Sequence, residues 1–332
     1  MKHDKKQLSP VILVTGARGQ IGTELVAALR NVYGREQVIA TDLHDAMATP
    51  DLEGPYRQLN VLDKDELENL VATYGVTQIY HLAATLSAKG EEAPLKAWHL
   101  NMQSLLNILE AAKDHKLDKV FWPSSIAVFG PSTARKISPQ NALLDPQTVY
   151  GISKEAGEQW CAYYREHYGV DVRSLRYPGL ISYSAPAGGG TTDYAVAIFH
   201  EALQNGRYEC YLNPDTALPM MYMDDAVRAT LQLMNAPVEA LKERGAYNIG
   251  ALSFTPAELA AELKNHLPDF TISYNTDKRQ SIANSWPAGV EDAEARRDWN
   301  WRPEYDLVTM TADMLDHLTT VYKNNSNTAA VS

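Results

Sequence analysis

Along the first half of the chain, apolar residues fall in short unbroken runs, and the stretches between them have helical spacing. The runs at 11–15 (VILVT), 38–41 (VIAT), 78–82, 119–123 and 172–175 read as buried parallel strands. A strand covered on both faces is apolar throughout and does not alternate. Helices are predicted over 21–32, from Asp63 to about Tyr74, over about 95–115, and over 146–168. Asp63 with Glu66 three residues later forms a capping box, and Leu105, Ile108 and Leu109 give the long helix its apolar stripe. Strand–helix alternation at this rhythm predicts an α/β fold with a doubly wound parallel sheet.

After about Tyr177 the rhythm breaks. Pro178, Pro186 and the glycines at 188–190 mark a loop. Asp224 and Asp225 are candidate caps for a helix running to Met234. Residues 246–249 read as a strand returning to the sheet. Thr255 before Pro256 is a helix start with proline at its first position, and 306–322 is a closing amphipathic helix. The expected organisation is a cofactor-binding domain at 8–176 with returning segments at about 222–250. A smaller α/β C-terminal substrate lobe takes 177–221 and 251–322, and a polar, disordered tail takes 323–332.

Composition narrows the function class. The 332 residues carry a formal net charge of −11, with 45% hydrophobic and 21% charged residues. An acidic chain lacks the basic footprint that replaces phosphate counterions, which argues against nucleic acid as a partner. No apolar run approaches a membrane span, and residues 1–10 are polar rather than signal-like. The two cysteines and nine histidines show no metal-ligand spacing, so no metal site is expected. A cytoplasmic protein with reduced thiols is the expectation.

Residues 11–22 read VILVTGARGQIG. Gly16 lets the chain turn off the strand, Gly19 lets the backbone approach a pyrophosphate, and Gly22 lets the helix pack on the sheet. Gln20 and Ile21 open that helix, whose N-terminal amides and dipole favour anions. Asp42 follows about twenty residues on, at the end of the second strand, and Leu43 continues past it. This context makes the turn a Rossmann dinucleotide fingerprint. A carboxylate at 42 accepts from the ribose hydroxyls and repels a 2′-phosphate, which favours NAD over NADP. Arg18 has two readings, a phosphate partner or a solvated side chain. Asn60 and Val61 have two readings, a border to the adenine ring or a plain loop.

Tyr150 and Lys154 stand four apart on one helical face, at the sheet edge where ligands of such folds bind. Ser124 and Ser125 end the preceding strand. A tyrosine with a pKa near 10 is a poor base at neutral pH. A neighbouring ammonium and an oxidised nicotinamide favour the phenolate. A shift of about three units corresponds to roughly 4 kcal/mol. The expected roles are Tyr150 as general base, Lys154 as its tuner and ribose ligand, and Ser125 as the group orienting the substrate hydroxyl.

Taken together, these residues resemble the extended short-chain dehydrogenase/reductase family, which contains the nucleotide-sugar epimerases. The segment from His81 through Leu82, Ala83 and Ala84 resembles that family's strand end beside the cofactor. Asn101 stands where the family tends to place an asparagine, residues 125–130 resemble its serine segment, and 176–179 resemble its nicotinamide-side loop. The resemblance places Tyr177, Pro178 and Leu180 beside the cofactor, with Ser124. A narrower resemblance, in 81–91, 123–131, 176–182, 188–194 and 284–287, is to the short-chain type of L-threonine 3-dehydrogenase.

That narrower resemblance implies NAD-dependent oxidation of the threonine C3 hydroxyl to 2-amino-3-oxobutyrate without zinc. The product feeds glycine formation or decarboxylates to aminoacetone. The resemblance carries Ser87, Ser125, Tyr150 and Thr192 as substrate contacts, with Gly179 and Thr191 beside them. The residues themselves partly agree, because Thr191 and Thr192 precede a helix, whose N-terminus suits a carboxylate. Thr192 as a plain helix cap is the other reading. Trp286 either closes over the site or is a core tryptophan. Asn60 stands where relatives often have an acidic residue, and Ser125 where some have threonine. A homodimer through the helices at about 95–115 and 147–168 is implied, and residues 182–190 are a candidate lid. The rival functions are a nucleotide-sugar epimerase or dehydratase on this scaffold and a non-enzymatic NAD-sensing regulator.

Overall fold

The computed structural model describes residues 9–45, 54–184 and 190–329. The part of the glycine-rich loop at 185–189 lies outside the described residues, as do 1–8 and 330–332. The central sheet has six strands: β1 (Ile12–Thr15), β2 (Val38–Asp42), β3 (Tyr56–Gln58), β4 (Gln78–His81), β5 (Lys119–Phe121) and, further along the chain, Val172–Arg173. The last is β7 below, because Ser124–Ser125 intervenes as β6. The order is β3-β2-β1-β4-β5-β7, and every pairing is parallel. The order reverses on either side of β1, which opens a crevice at the strands' carboxyl ends.

Successive side chains on a strand face opposite sides. Ile12 and Val14 therefore pack with α1 (Gln20–Tyr33) and the helix Met223–Asn235 on one face. Leu13 packs on the other with α2 (Lys64–Tyr74), α3 (Pro94–Asp114) and α4 (Val149–Tyr168). Truncating a fully buried leucine such as Leu13 to alanine costs about 2–5 kcal/mol. The predicted strands and helices of this half are all present. β3 is additional: it is an edge strand with one half-buried and two exposed residues, so it leaves no apolar run to read. Asp63 caps α2 by accepting from the Glu66 amide at 3.0 Å.

Two predicted strands break in mid-run. β5 stops at Phe121, and the chain resumes as β6 (Ser124–Ser125); β7 stops at Arg173 and resumes as β8 (Leu175–Tyr177). β6 and β8 pair in parallel, Ser124 with Arg176 and Ser125 with Tyr177. The strand expected at 246–249 appears as Tyr247–Asn248 and joins β8 here, in a three-stranded sheet separate from the six-stranded one.

Beyond β8 the chain builds a second core around Tyr194, Phe199, Tyr222, Phe254, Leu259 and Met314. A three-stranded sheet, Gly179–Ile181, Leu218–Tyr222 and Leu252–Phe254, backs it. Thr255 caps the helix Pro256–His266 through a complete capping box. Asp224 and Asp225 are not caps. Tyr222 precedes the helix, and both aspartates lie inside its first turn. Asp225 is instead a buried acceptor for the amides of Glu304 and Tyr305. The closing helix, Leu307–Ala329, continues past Lys323, where the sequence led to a disordered tail. Among the described residues no helix is long and apolar enough to cross a membrane.

Candidate active site

At Gly16 the backbone takes φ +69°, and a Cβ there would lie 2.7 Å from the Ala83 amide nitrogen. Only glycine allows the turn to pass this close to the end of β4. A Cβ on Gly22 would lie 2.3 Å from the Gly16 carbonyl oxygen, so α1 packs directly on the turn. Gly19 precedes α1 without a side-chain cap. The Asp42 carboxylate accepts from the Arg18 amide at 3.1 Å and so fixes the turn against β2. Arg18 itself is half-buried, and its side chain hydrogen-bonds the Tyr56 hydroxyl.

One cavity runs from this turn across the ends of the central strands. Gly16, Gly19, Gln20, Ile21 and Gly22 line its first wall, and Leu82, Ala84, Leu86 and Ser87 line its side. Ser124, Ser125, Tyr150 and Lys154 form its floor with Pro123, and Tyr177 through Leu180 and Gly190 through Asp193 complete it. The Gln20 side-chain nitrogen is buried with no hydrogen-bond partner in the protein. A buried donor without a partner is costly, and at a helix N-terminus it fits an anionic group such as a dinucleotide pyrophosphate.

The reacting end is built on α4. Thr148 caps this helix by accepting from the Gly151 amide at 3.1 Å. A Cβ at Gly151 would lie 2.1 Å from the Ala127 carbonyl oxygen. The helix start therefore packs directly on the backbone after Ser125. Gly151 carries no chemistry, and its signal in the sequence is only its place beside Tyr150. Ser125 Oγ accepts from the Ala127 amide at 3.2 Å and hydrogen-bonds the Tyr150 hydroxyl. Lys154 is buried; its Nζ donates to the Pro123 carbonyl at 2.6 Å and lies 5.5 Å from the Tyr150 ring centre and 4.4 Å from that of Trp122.

Burial pushes the Tyr150 phenol up to about 12, against a smaller opposing effect of the Ser125 hydrogen bond. Burial likewise brings the Lys154 ammonium down to about 7, with Cys161 and Glu158 opposing. Burial thus disfavours the charged form of both groups, and the Lys154 ammonium is turned to the Pro123 carbonyl. His81 is held at about 3 by burial and by the Lys154 charge. It is a neutral strut between Thr15 Oγ1 at 2.7 Å and Ser104 Oγ at 3.1 Å.

Some expected cofactor residues stand outside the cavity lining. Asn101 is buried in α3, where it accepts from the Thr85 amide at 2.8 Å and donates to the Thr85 carbonyl and Ser153 Oγ. It braces the segment after β4 against α4. Val61 is buried, and Asn60 is exposed, accepting from the Leu62 amide at 3.1 Å. Leu43 is exposed, and Ala83 contributes the backbone that meets Gly16. Trp286 packs in the second core and does not line the cavity.

At the far end Ser87 is buried in a short helical turn, Ser87–Gly90. A Cβ on Gly179 would meet Thr192 Cβ at 2.6 Å, so glycine there lets Thr192 approach the chain. The Thr191 hydroxyl is buried with no partner in the protein. The helix Tyr194–Asn205 follows, with Asp193 and not Thr192 at its cap position. Asp193 also lines the cavity, and it accepts from the Gly190 amide at 2.6 Å. It was not among the residues singled out in the sequence.

Known proteins are similar to this chain across nearly its whole length. A pig protein described as mitochondrial L-threonine 3-dehydrogenase is 46% identical over 308 residues, covering 92% of this chain and 82% of its own length. An uncharacterized epimerase/dehydratase of Staphylococcus haemolyticus is also 46% identical, covering 92% and 96%. The holo form of a GalE-like L-threonine dehydrogenase from Cupriavidus necator superposes with a TM-score of 0.91 at 54% identity, covering 93% and 100%. A monomeric L-threonine 3-dehydrogenase from a metagenome superposes with a TM-score of 0.90 at 45% identity, covering 93% and 99%. Residues 12–250 match the NAD dependent epimerase/dehydratase family, the extended short-chain dehydrogenase/reductases, and the chain belongs to it.

Proposed function

We propose that this chain oxidises the C3 hydroxyl of L-threonine with NAD, giving 2-amino-3-oxobutyrate for threonine breakdown in the cytoplasm. The observation that carries the reading is the meeting of Ser125, Tyr150 and Lys154 with Ser87, Thr191 and Thr192 in one cavity that begins at the glycine turn. NAD, when bound, supplies the hydride acceptor and, in its oxidised form, a positive charge near the phenol. Tyr150 takes the hydroxyl proton of the substrate. Ser125 Oγ already accepts from the Ala127 amide, which leaves one O–H and one lone pair to bridge the phenol and the substrate oxygen. Lys154 favours the phenolate when it is charged and turned from Pro123 toward the site. Thr191 and Thr192, just ahead of a helix, hold the substrate carboxylate. Asp42 accepts from the adenosine ribose, which favours NAD over NADP.

The residues at 8–176 with 222–250 form the cofactor part in this reading, and the remainder forms the substrate lobe. The working assembly is a homodimer. Trp98, Ile152, Trp160, Tyr163 and Tyr168 leave large apolar side chains exposed on α3 and α4, an area that a second copy covers. Light scattering tests this, and a monomer at micromolar concentration rejects it. For the reaction, L-threonine and NAD are mixed with the protein and reduced nicotinamide is followed by absorbance. Turnover is expected. No signal with threonine, together with conversion of a sugar nucleotide, rejects the reading.

A further inference from the structure

Behind the reacting residues lies a buried ion pair that the reaction as described does not use. Glu158 stands one helical turn after Lys154 on α4, and Arg176 lies on β8, next to Tyr177 of the cavity wall. Their side chains are 4% and 8% exposed. Arg176 Nη2 donates to Glu158 Oε2 at 2.7 Å, and its Nε donates to Oε1 at 2.9 Å. Ser124 Oγ donates to the same Oε1 at 2.6 Å. The remaining guanidinium nitrogen donates to the Gln140 carbonyl at 3.0 Å and to Asn248 Oδ1 at 3.1 Å. A single carboxylate thus joins α4, β6 and β8, and through Arg176 it reaches the strand Tyr247–Asn248.

An ion pair this buried is a poor way to gain stability, because desolvation offsets most of the attraction. Its geometry is what needs explaining. Ser124 precedes Ser125 and follows Pro123, whose carbonyl holds Lys154. A bond from Ser124 to Glu158 therefore fixes the backbone between the two groups that act on Tyr150. We propose that Glu158, paired with Arg176, is a positioning residue for the reaction: through Ser124 it sets the place of Ser125, and its charge, one helical turn along, favours the cationic form of Lys154. The inference rests on the reading of Ser125, Tyr150 and Lys154 as the reacting group.

The charges around this carboxylate are few. On its own helix Glu158 faces Lys154, Cys161 and Glu155. From β8 it faces Arg176, and Arg176 in turn feels Glu243 from the preceding loop of the Tyr247–Asn248 strand. His81, packed on the other side of Lys154, stays neutral. A negative charge at 158 favours the charged form of Lys154, and a charged Lys154 favours the phenolate.

Two variants of the full chain separate the two actions. Ser124→Ala cuts the hydrogen bond and leaves the charge. Glu158→Gln keeps an acceptor for Ser124 and removes the charge. Ser124→Ala is expected to lower kcat with threonine about tenfold, as for a lost hydrogen bond of about 1.4 kcal/mol, with the melting temperature and the pH profile in place. Glu158→Gln is expected to move the acidic limb of the kcat profile to higher pH, because a less charged Lys154 leaves Tyr150 harder to ionise. Unchanged kcat in Ser124→Ala with an unmoved profile in Glu158→Gln overturns the proposal. So does a fall of kcat in Ser124→Ala that only follows a fall of melting temperature, which is the mark of a purely structural bond. If Glu158→Gln does not fold, the Ser124→Ala split decides. Tyr150→Phe is measured alongside. Turnover retained there overturns the reacting group itself, whereas its loss there with both other variants normal overturns only the role of the pair.

Discussion

The two walls of the cavity are made of different material. Along residues 16–22 the surface is backbone, and its shape depends on the absence of side chains at Gly16 and Gly22. Along residues 190–193 the surface is hydroxyl and carboxylate, carried by Thr191, Thr192 and Asp193, with glycine at 179 to admit Thr192. A backbone wall recognises what every dinucleotide shares. A side-chain wall recognises one substrate and can be altered a residue at a time. Between them stands the floor of Ser125, Tyr150 and Lys154, which serves both.

The largest effect is expected at that floor. Tyr150→Phe should lower kcat by about 10²–10⁴-fold, the range for a positioned acid or base. NAD affinity, read by fluorescence titration, should stay within twofold, and an active variant breaks the division between floor and walls. Next comes the backbone wall. Gly22→Ala sets a methyl against the Gly16 carbonyl at 2.3 Å. Overpacking of this kind costs about 1–3 kcal/mol, so the melting temperature and NAD affinity should fall together, and a variant that binds NAD normally refutes the close-approach account. On the side-chain wall, Thr191→Val keeps the shape and deletes the unpartnered hydroxyl. The KM for threonine should rise about three- to tenfold, as for a lost hydrogen bond of ~1 kcal/mol, with NAD affinity unmoved. Equal loss on both ligands makes the walls one site.

The effect most remote from turnover, on stability alone, concerns the strut beneath the backbone wall. His81 titrates at about 3 in the folded chain, because burial and then Lys154 disfavour its charge, against about 6.5 in the unfolded chain. Between these values the unfolded chain holds a proton that the folded chain does not. Stability therefore rises with pH through this window and is lost as pH falls from about 6.5 toward 3. Urea midpoints at pH 7, 5 and 4 should decline, and His81→Gln should decline less. An identical decline in the variant assigns the titration elsewhere.

The backbone wall was legible because its cause is local. A buried strand, three glycines and an acidic residue about twenty positions on are all visible in one window of sequence. Tyr150 and Lys154 were legible for the same reason, being one helical turn apart. Ser87, Thr191 and Thr192 were named through family resemblance, since a hydroxyl on a loop has no periodicity to betray it. The pair of Glu158 and Arg176 was invisible. The two residues are 18 positions apart, and charged residues in a helix and beside a strand look like surface until the fold encloses them. Asn101 was expected at the cofactor and serves as a brace one layer away, because spacing marks a helix face and not what that face touches. The strand breaks at Phe121 and Arg173 were hidden too, because the side chains stay buried on both sides of each break.

The small sheet of Ser124–Ser125, Leu175–Tyr177 and Tyr247–Asn248 has a consequence for the order in which the protein is made. Its first strand carries Ser125, and its last strand is built from residues 247 and 248. At about 5–20 residues per second of synthesis, the ribosome adds the closing strand roughly 6–25 seconds after the serine. Until then β8 has an open edge, and Arg176 lacks its Asn248 partner. A nascent chain that has finished the whole central sheet still lacks the last strand of the small sheet that holds Ser125.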